Sequence, residues 1–403
     1  MKFYELTPEK RREYLINQGI ELDDIDEITL HELDNLSENV IGQLRFPVGI
    51  VQNLLVNGKS HFVPLATEEP SVVAAANHGA SIFAKNGGVK AKSKRTGIYG
   101  QITLEVDAKF DASKLSQLFP MIIEQANSQF ASLVKHGGGV RQINLQQKDD
   151  LVMLRVLVDP AESMGANRVN SILEFIANKL ATFPGVVDKL FAILSNYPSQ
   201  FTTAQVELGV ATVGGVKVAE RIALLSKIGQ NDSFRAVTNN KGIMNGVDAV
   251  LLATGNDARA VEAACGVWAN EKGKYSSLSQ WNVKDDKLIG SLTIPLAIGT
   301  VGGSINSRTD VKQSYRLLGQ GITSSELANV IAAVGLANNL AALLAISTTG
   351  IQAGHMKLQA KNTVANLTAT LREKEQVRQM MIDKKEYSLA AAEQFLKQIR
   401  EGQ

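Results

Sequence analysis

Apolar positions along the chain change spacing from one segment to the next. Between residues 44 and 65, LLV and HFVPL flank Asn57-Gly58, a dipeptide suited to a two-residue hairpin turn. Residues 8–18 space their apolar side chains as a short amphipathic helix with Pro8 in its first turn, and residues 21–38 are acidic and partly helical. SVVAAANHGASIFAKN (71–86) reads as a small-residue helix stopped by Gly87-Gly88. Beyond it the pattern predicts a strand at 102–106 and a helix at 113–136 closed by Gly137-Gly138-Gly139. An alternating strand (140–147), a turn at Lys148-Asp149-Asp150 and a strand (151–158) follow. A long amphipathic helix (164–183), a further helix near 186–195 and a strand (201–208) complete the stretch. Apart from the extra helix, this is the β-α-β-β-α-β order of a ferredoxin-like unit.

After residue 215, DAVLLAT (248–254) fits a buried strand or a helix segment, and periodicity does not decide. Residues 291–303 read as a strand and a glycine turn, 324–347 as an apolar helix, and the chain from 367 onward as charge-rich helix. A length of 403 residues exceeds one ordinary core. The expected fold is therefore α+β. A large mixed α/β domain (1–107 and 215–375) carries an inserted ferredoxin-like domain (108–214), and a small helical appendage (376–403) ends the chain.

Charge and cysteine content narrow the function classes. Lys plus Arg number 42 and Asp plus Glu 40, a balance without a footprint for nucleic acid or an anionic membrane. The single cysteine, Cys265, excludes a disulfide framework and a multi-cysteine metal site; with no signal-peptide pattern at the N-terminus, a cytoplasmic location is expected. NVIAAVGLANNLAALLAI (329–346) is apolar enough to resemble a membrane span. Its asparagines and the lack of flanking basic or aromatic belts read instead as a core helix whose amides need partners. No P-loop, no GxGxxG after a strand and no HExxH occurs, and five scattered histidines offer no metal site.

Four polar clusters remain. Glu68-Glu69-Pro70-Ser71 precedes a helix, where helix-capping chemistry accounts for all four residues. RAVTNNKGIMN (235–245) reads as a polar cationic loop, either anion-binding or merely solvated. Thr254-Gly255-Asn256-Asp257 is a cleft edge or a simple turn. His355, in Gly354-His355-Met356, is a lone histidine. None of them decides the chemistry alone.

In order and type, however, the chain resembles the class II (bacterial) hydroxymethylglutaryl-coenzyme A reductases. The resemblance is carried by ENVIG (38–42), EEPSVVAAA (68–76), SMGANRVN (163–170), RAVTNNKGIMNG (235–246), ATGNDARAVEA (253–263), GTVGG (299–303) and GIQAGHMKLQAKN (350–362). It implies reduction of the HMG-CoA thioester to mevalonate and free coenzyme A by two hydrides from a nicotinamide cofactor. That chemistry needs a cation at the carbonyl oxygen, a proton donor and an acid for the departing thiolate.

By the same resemblance Lys241 supplies the cation, Glu69 the proton, Asp257 orients Lys241, and His355 protonates the thiolate. Arg235 pairs with the substrate carboxylate, and Ser71, Thr238, Asn245 and Asn339 add neutral hydrogen bonds. Glu162, Met164, Gly165, Ala166 and Asn167, at a helix N-terminus, and Asn196 face the cofactor. Glu162 stands where the family carries Asp. NADPH is expected over NADH, because residues 127–136 hold no acid while Lys135 and His136 can meet a 2′-phosphate. No metal is expected. The resemblance further implies a homodimer with shared active sites and a C-terminal flap that closes over them. A coenzyme-A-thioester-binding protein that lost the reaction, or a purely structural oligomer, are the alternatives; the intact Glu, Lys, Asp and His set speaks against the first. The direction of the reaction in the cell is not legible.

Overall fold

The computed structural model describes residues 2–348 and 350–401, and their side chains except 304, 306, 351–355, 357 and 358. The chain divides into two compact units, Met1–Pro47 and Val48–Gln403. The first holds α1 (Pro8–Asn17), capped by Thr7, and α2 (Glu27–Asp34), capped by Asp26. Only Pro8 and Arg11 of α1 and Leu30 of α2 are buried, and Arg11 ties the two helices through Asp34.

The second unit opens with the expected hairpin, β1 (Val48–Val56) and β2 (Lys59–Ala66), turned by Asn57 and Gly58, both at positive φ. Next come α3 (Val72–Lys85), β3 (Lys90–Ser93) and β4 (Ile98–Val106), then α4 (Ala112–Gln117), α5 (Phe119–Gln129) and α6 (Ala131–Lys135). They lead into β5 (Gly139–Lys148), β6 (Leu151–Asp159), α7 (Ala166–Leu180), β7 (Val186–Ser195) and β8 (Phe201–Gly209). Helices α8 (Val216–Asn231), α9 (Ser233–Ala253) and α10 (Ala258–Ala269) precede β9 (Ser279–Lys284) and β10 (Lys287–Pro295). The chain ends in α11 (Thr309–Leu318), α12 (Ser324–Ser347), α13 (Ile351–Ala365), α14 (Leu371–Lys384) and α15 (Leu389–Glu401).

Two four-stranded antiparallel sheets organise these elements. The order β5-β6-β4-β7 is that of the split βαβ unit. Its core joins Ile102, Leu154 and Val156 of the sheet to Ile122 of α5 and Ile172 and Ile176 of α7. Two expectations are corrected here. Residues 186–195 form the closing strand rather than a helix, and 201–208 belongs to the other sheet, β3-β8-β10-β9. The cause is that β7 is apolar on both sides: Val187, Leu190, Phe191 and Ile193 are exposed, so the run does not alternate. The elements of the small sheet lie between Ile98 and Ser195. The window 108–214 thus omits its first strand and takes in a strand of its neighbour.

Helix α12 is the centre of the large core. It packs on α3, α9, β3, β8 and β10, and 83% of its most apolar window is buried within the protein. A helix apolar all round is a core helix when neighbours cover every side. Glycines set the approach distances: a Cβ on Gly79 of α3 would overlap the backbone of Ala337, and one on Gly335 would meet Val247 and Ile243 of α9. Residues 248–254 resolve as the end of helix α9. Cys265 of α10 is 3% exposed, and burial pushes its thiol up.

The C-terminal helices share a small core of their own. Ala360 and Val364 of α13 meet Val377 and Met381 of α14 and Phe395 of α15. That cluster begins in α13, so the expected flap boundary at 376 falls inside α14.

Candidate active site

Residues 235–245, expected as a loop, are helix. Asp232 caps α9 by accepting from the N–H groups of Phe234 and Arg235. One side of the helix is buried through Ala236, Asn239, Asn240, Ile243, Val247 and Val250. The asparagines that suggested a loop are satisfied at a distance. Asn239 donates to Ser277 Oγ at 2.6 Å, and Asn240 donates to Ser276 O and accepts from Leu278 N, both at 2.9 Å. Arg235, Thr238, Lys241 and Asn245 then fall at spacings of three and four along one stripe of the uncovered side.

That stripe meets the turn before α3. Lys241 Nζ donates to Glu69 Oε2 at 2.5 Å, and Asn245 Nδ2 donates to Glu69 Oε1 at 3.4 Å. The lysine side chain is 59% exposed and the glutamate 37%, so the pair faces open space. Helix capping does not explain this turn. Ser71 makes no capping hydrogen bond and stands in the left-handed region at φ 75°, which non-glycine residues rarely adopt. Strain of that kind persists where surrounding structure enforces it, often at functional sites. The Arg235 guanidinium is partly buried, and desolvation lowers its pKa from the ordinary value.

Asn339 lies in the core: it is 1% exposed, accepts from Trp281 Nε1 at 2.7 Å and donates to Asn239 Oδ1 at 2.9 Å. Two of its hydrogen-bonding positions are thus taken by core partners.

Asp257 lies elsewhere. It caps α10 by accepting from Ala260 N at 3.0 Å, and its ion pair is with Arg259 at 3.9 Å. Thirteen residues of helix, about 20 Å, separate Lys241 from Thr254 at the far end of α9. Asn256 N bonds back to Leu251 O and holds the loop at that end. Within one chain the expected hydrogen bond from Lys241 to Asp257 is therefore not made.

Instead Asp257 lines a cleft of about 530 Å³ with Met164, Gly165, Ala166, Asn167 and Gly302. Gly165, at φ 92°, precedes α7, whose first turn has no side-chain cap, leaving backbone N–H groups for an anion. The loop is pinned by a bridge between Ser163 and Val301, and Gly299 permits it: a Cβ there would overlap the backbone nitrogen of Met164. These features fit a dinucleotide pyrophosphate.

Glu162, beside the cleft loop, already has partners. Its carboxylate accepts from Ser324 N at 2.6 Å and Thr300 Oγ at 3.4 Å, which ties the loop to the start of α12 and away from the cleft. Asn196 is exposed and lines a separate small cavity beside Met164. Arg168 was missed. It lines the cleft, and a cation in the first turn of a helix opposes the helix dipole, which was the available signal. Phe130 packs edge-on against Phe175 at 6.0 Å and is part of the small core. The side chain of His355 lies outside the described residues; its backbone is in α13.

Comparison with known proteins fits this arrangement. The sequence profile of the family described as hydroxymethylglutaryl-coenzyme A reductase matches residues 7–360. The 3-hydroxy-3-methylglutaryl-coenzyme A reductase of Archaeoglobus fulgidus is 36% identical over 395 residues, 96% of this chain and 88% of that protein. A probable reductase of the same name from Borreliella burgdorferi is 38% identical over 347 residues, 84% of this chain and 79% of that one. A solved reductase from Streptococcus pneumoniae superposes with a TM-score of 0.76 at 35% identity, covering 98% of this chain and 99% of that one. A class II structure from the same organism, described as bound to NADPH in open conformations, gives 0.76 at 36% identity over 96% and 95%. With a profile match over residues 7–360 and a relative 36% identical over 96% of its length, the chain belongs to the hydroxymethylglutaryl-coenzyme A reductase family.

Proposed function

We propose that the protein reduces HMG-CoA to mevalonate and coenzyme A, or runs the reverse, with NADPH as its preferred cofactor. The observation that carries the reading is the ammonium of Lys241 held on Glu69 beside the strained Ser71. The bound nicotinamide would supply the two hydrides. Lys241 holds positive charge where the thioester oxygen becomes an alkoxide. Glu69, in hydrogen-bond contact with the Lys241 ammonium, takes a proton across that contact and passes it to the oxygen, leaving the pair to be reprotonated from solvent before the next turnover. Asn245 fixes the second carboxylate oxygen of Glu69. Arg235 and Thr238, on the same stripe, take the free carboxylate of the substrate. His355 protonates the departing thiolate, carried by the C-terminal helices acting as a flap.

The site is shared between two subunits of a homodimer. The separation along α9 supports this, since Asp257 can orient Lys241 only if it comes from a second chain. Phe234 and Val237, 91% and 55% exposed beside the substrate stripe, are apolar surface that such a partner would cover. The small sheet, residues 98–195, acts as the cofactor domain. NADPH preference rests on Lys135, Arg168 and the imidazole of His136 as partners for a 2′-phosphate, and on the absence of an acid in residues 127–136. A cytoplasmic location agrees with the single buried cysteine.

The test is cofactor oxidation with HMG-CoA, run with NADPH and with NADH. Turnover with NADPH at a KM at least about tenfold below that for NADH, about 1.4 kcal/mol, is expected. No turnover with either cofactor refutes the reductase; an equal or lower KM for NADH refutes the preference alone.

A further inference from the structure

The sheet β3-β8-β10-β9 packs one face on α12; its other face is open apart from α10 against β10. On the open face, cross-strand pairing sets Lys92 opposite Thr203 and Thr203 opposite Thr293. The two threonine hydroxyls are 2.9 Å apart. Trp268 of α10 is anchored over the far end of this row by its Nε1, which donates to Thr293 O at 2.9 Å, and its ring contacts that of Phe201 at 4.7 Å. The result is a cleft of about 480 Å³ with Lys90, Lys92 and Lys94 along one side, Phe201 next to Lys94, and Trp268 across from the lysine row.

The charge is one-sided. No acidic residue lines the cleft, and Lys92 and Lys94 have no ion pair among the described residues. Glu207, two residues along β8 from Gln205, is held by Lys287 at 2.9 Å and also feels the charge of Lys90. Lysines on an edge strand also discourage strand-to-strand aggregation. That role does not require tryptophan, phenylalanine and hydroxyl groups to converge on the same cleft. Two strand spacings, about 10 Å, separate the lysine row from the strand beneath Trp268. This is the span from the base to the outer phosphate of a nucleotide. Stacking on an aromatic ring suits any base, and ammonium groups suit a polyphosphate.

We propose that this cleft binds a nucleoside polyphosphate, with its base against Trp268 and Phe201 and its phosphates on Lys90, Lys92 and Lys94. The site is separate from the dinucleotide cleft at α7. It lies where the chain passes between the two sheets: β3 runs on to β4, β7 returns to β8, and Lys94 N donates to Phe201 O at 2.8 Å across these crossings. A ligand there would brace the connection between the small sheet and the large core.

Tryptophan emission tests it. The chain has two tryptophans, and Trp281 is 3% exposed. Titrating the full-length protein with ATP should quench emission saturably. Trp268→Phe should abolish the signal. The double variant Lys92→Gln, Lys94→Gln should raise the Kd about tenfold or more while its melting temperature and its NADPH oxidation stay those of the parent. Tripolyphosphate, which has no base, should compete more weakly than ATP. The proposal is overturned by an absence of saturable quenching, by quenching that the lysine substitutions leave unchanged, or by tripolyphosphate that binds as tightly as ATP.

Discussion

Gly246 of α9 lies so close to Asn338 of α12 that a Cβ on the glycine would overlap the side-chain amide oxygen. The same amide donates to the carbonyl of Val72, the first residue of α3, at 3.1 Å. One side chain on the central helix thus spaces both elements that carry the Lys241–Glu69 pair. Gly246→Ala should push α9 outward and open the contact between Lys241 and Glu69. Overpacking of this kind costs about 1–3 kcal/mol. Thermal melting and reductase turnover should both fall, turnover further; wild-type turnover in this variant would show that the spacing is not needed.

Lys241 contributes little to packing, being exposed on its stripe. Lys241→Ala should leave the melting temperature within a few degrees of the parent while lowering kcat by about 10²-fold or more, the cost of losing a preorganised charge at a developing oxyanion. A variant that keeps near-full turnover with the thioester would remove Lys241 from the chemistry.

A shared site has a distinctive genetic signature. Lys241→Ala and Asp257→Ala homodimers should each be inactive. If each site takes Lys241 from one chain and Asp257 from the other, randomly mixed dimers regain about a quarter of wild-type activity, since half are mixed and each of these keeps one intact site. Mixing after unfolding and refolding, read by NADPH oxidation, distinguishes the outcomes. No recovery would place both residues in the same chain's site.

Stability should carry a mark of Asp248, on α9. Burial and the neighbouring Glu262 of α10 raise its carboxyl to about 8 from an ordinary value of 3.8. Between those values the folded chain holds a proton that the unfolded chain has lost, so this group's contribution to stability falls as pH rises from about 4 through about 8. Asp248→Asn should melt higher than the parent at pH 8.5, and the difference should vanish below pH 4. A constant offset across that range would assign the effect to packing.

Much of the fold and part of the site were legible. Glu69 and Lys241 stood out only through the resemblance of their motifs to the family, whereas the hairpin at Asn57-Gly58 and the core role of residues 324–347 followed from local chemistry. Helix α9 did not, because what stabilises it is remote: the amides of Asn239 and Asn240 are satisfied by serines and backbone near residue 277, and Gly242 and Gly246 disfavour a helix locally. The core and loop partners of Glu162 and Asn339 were hidden for a related reason. A motif fixes which residues are present, whereas a buried amide or carboxylate is spent on whichever donors the tertiary fold brings to it. The lining role of Arg168 needed the cleft to be seen.

The seclusion of Cys265 has a practical side. A thiol reagent added to an assay reacts with thiolate that solvent can reach. This chain keeps its single sulfhydryl inside α10's packing face, with burial holding it in the protonated form. Colour from a disulfide dye would then follow only coenzyme A freed by turnover, one sulfur per thioester reduced, and the protein would contribute no background to the trace.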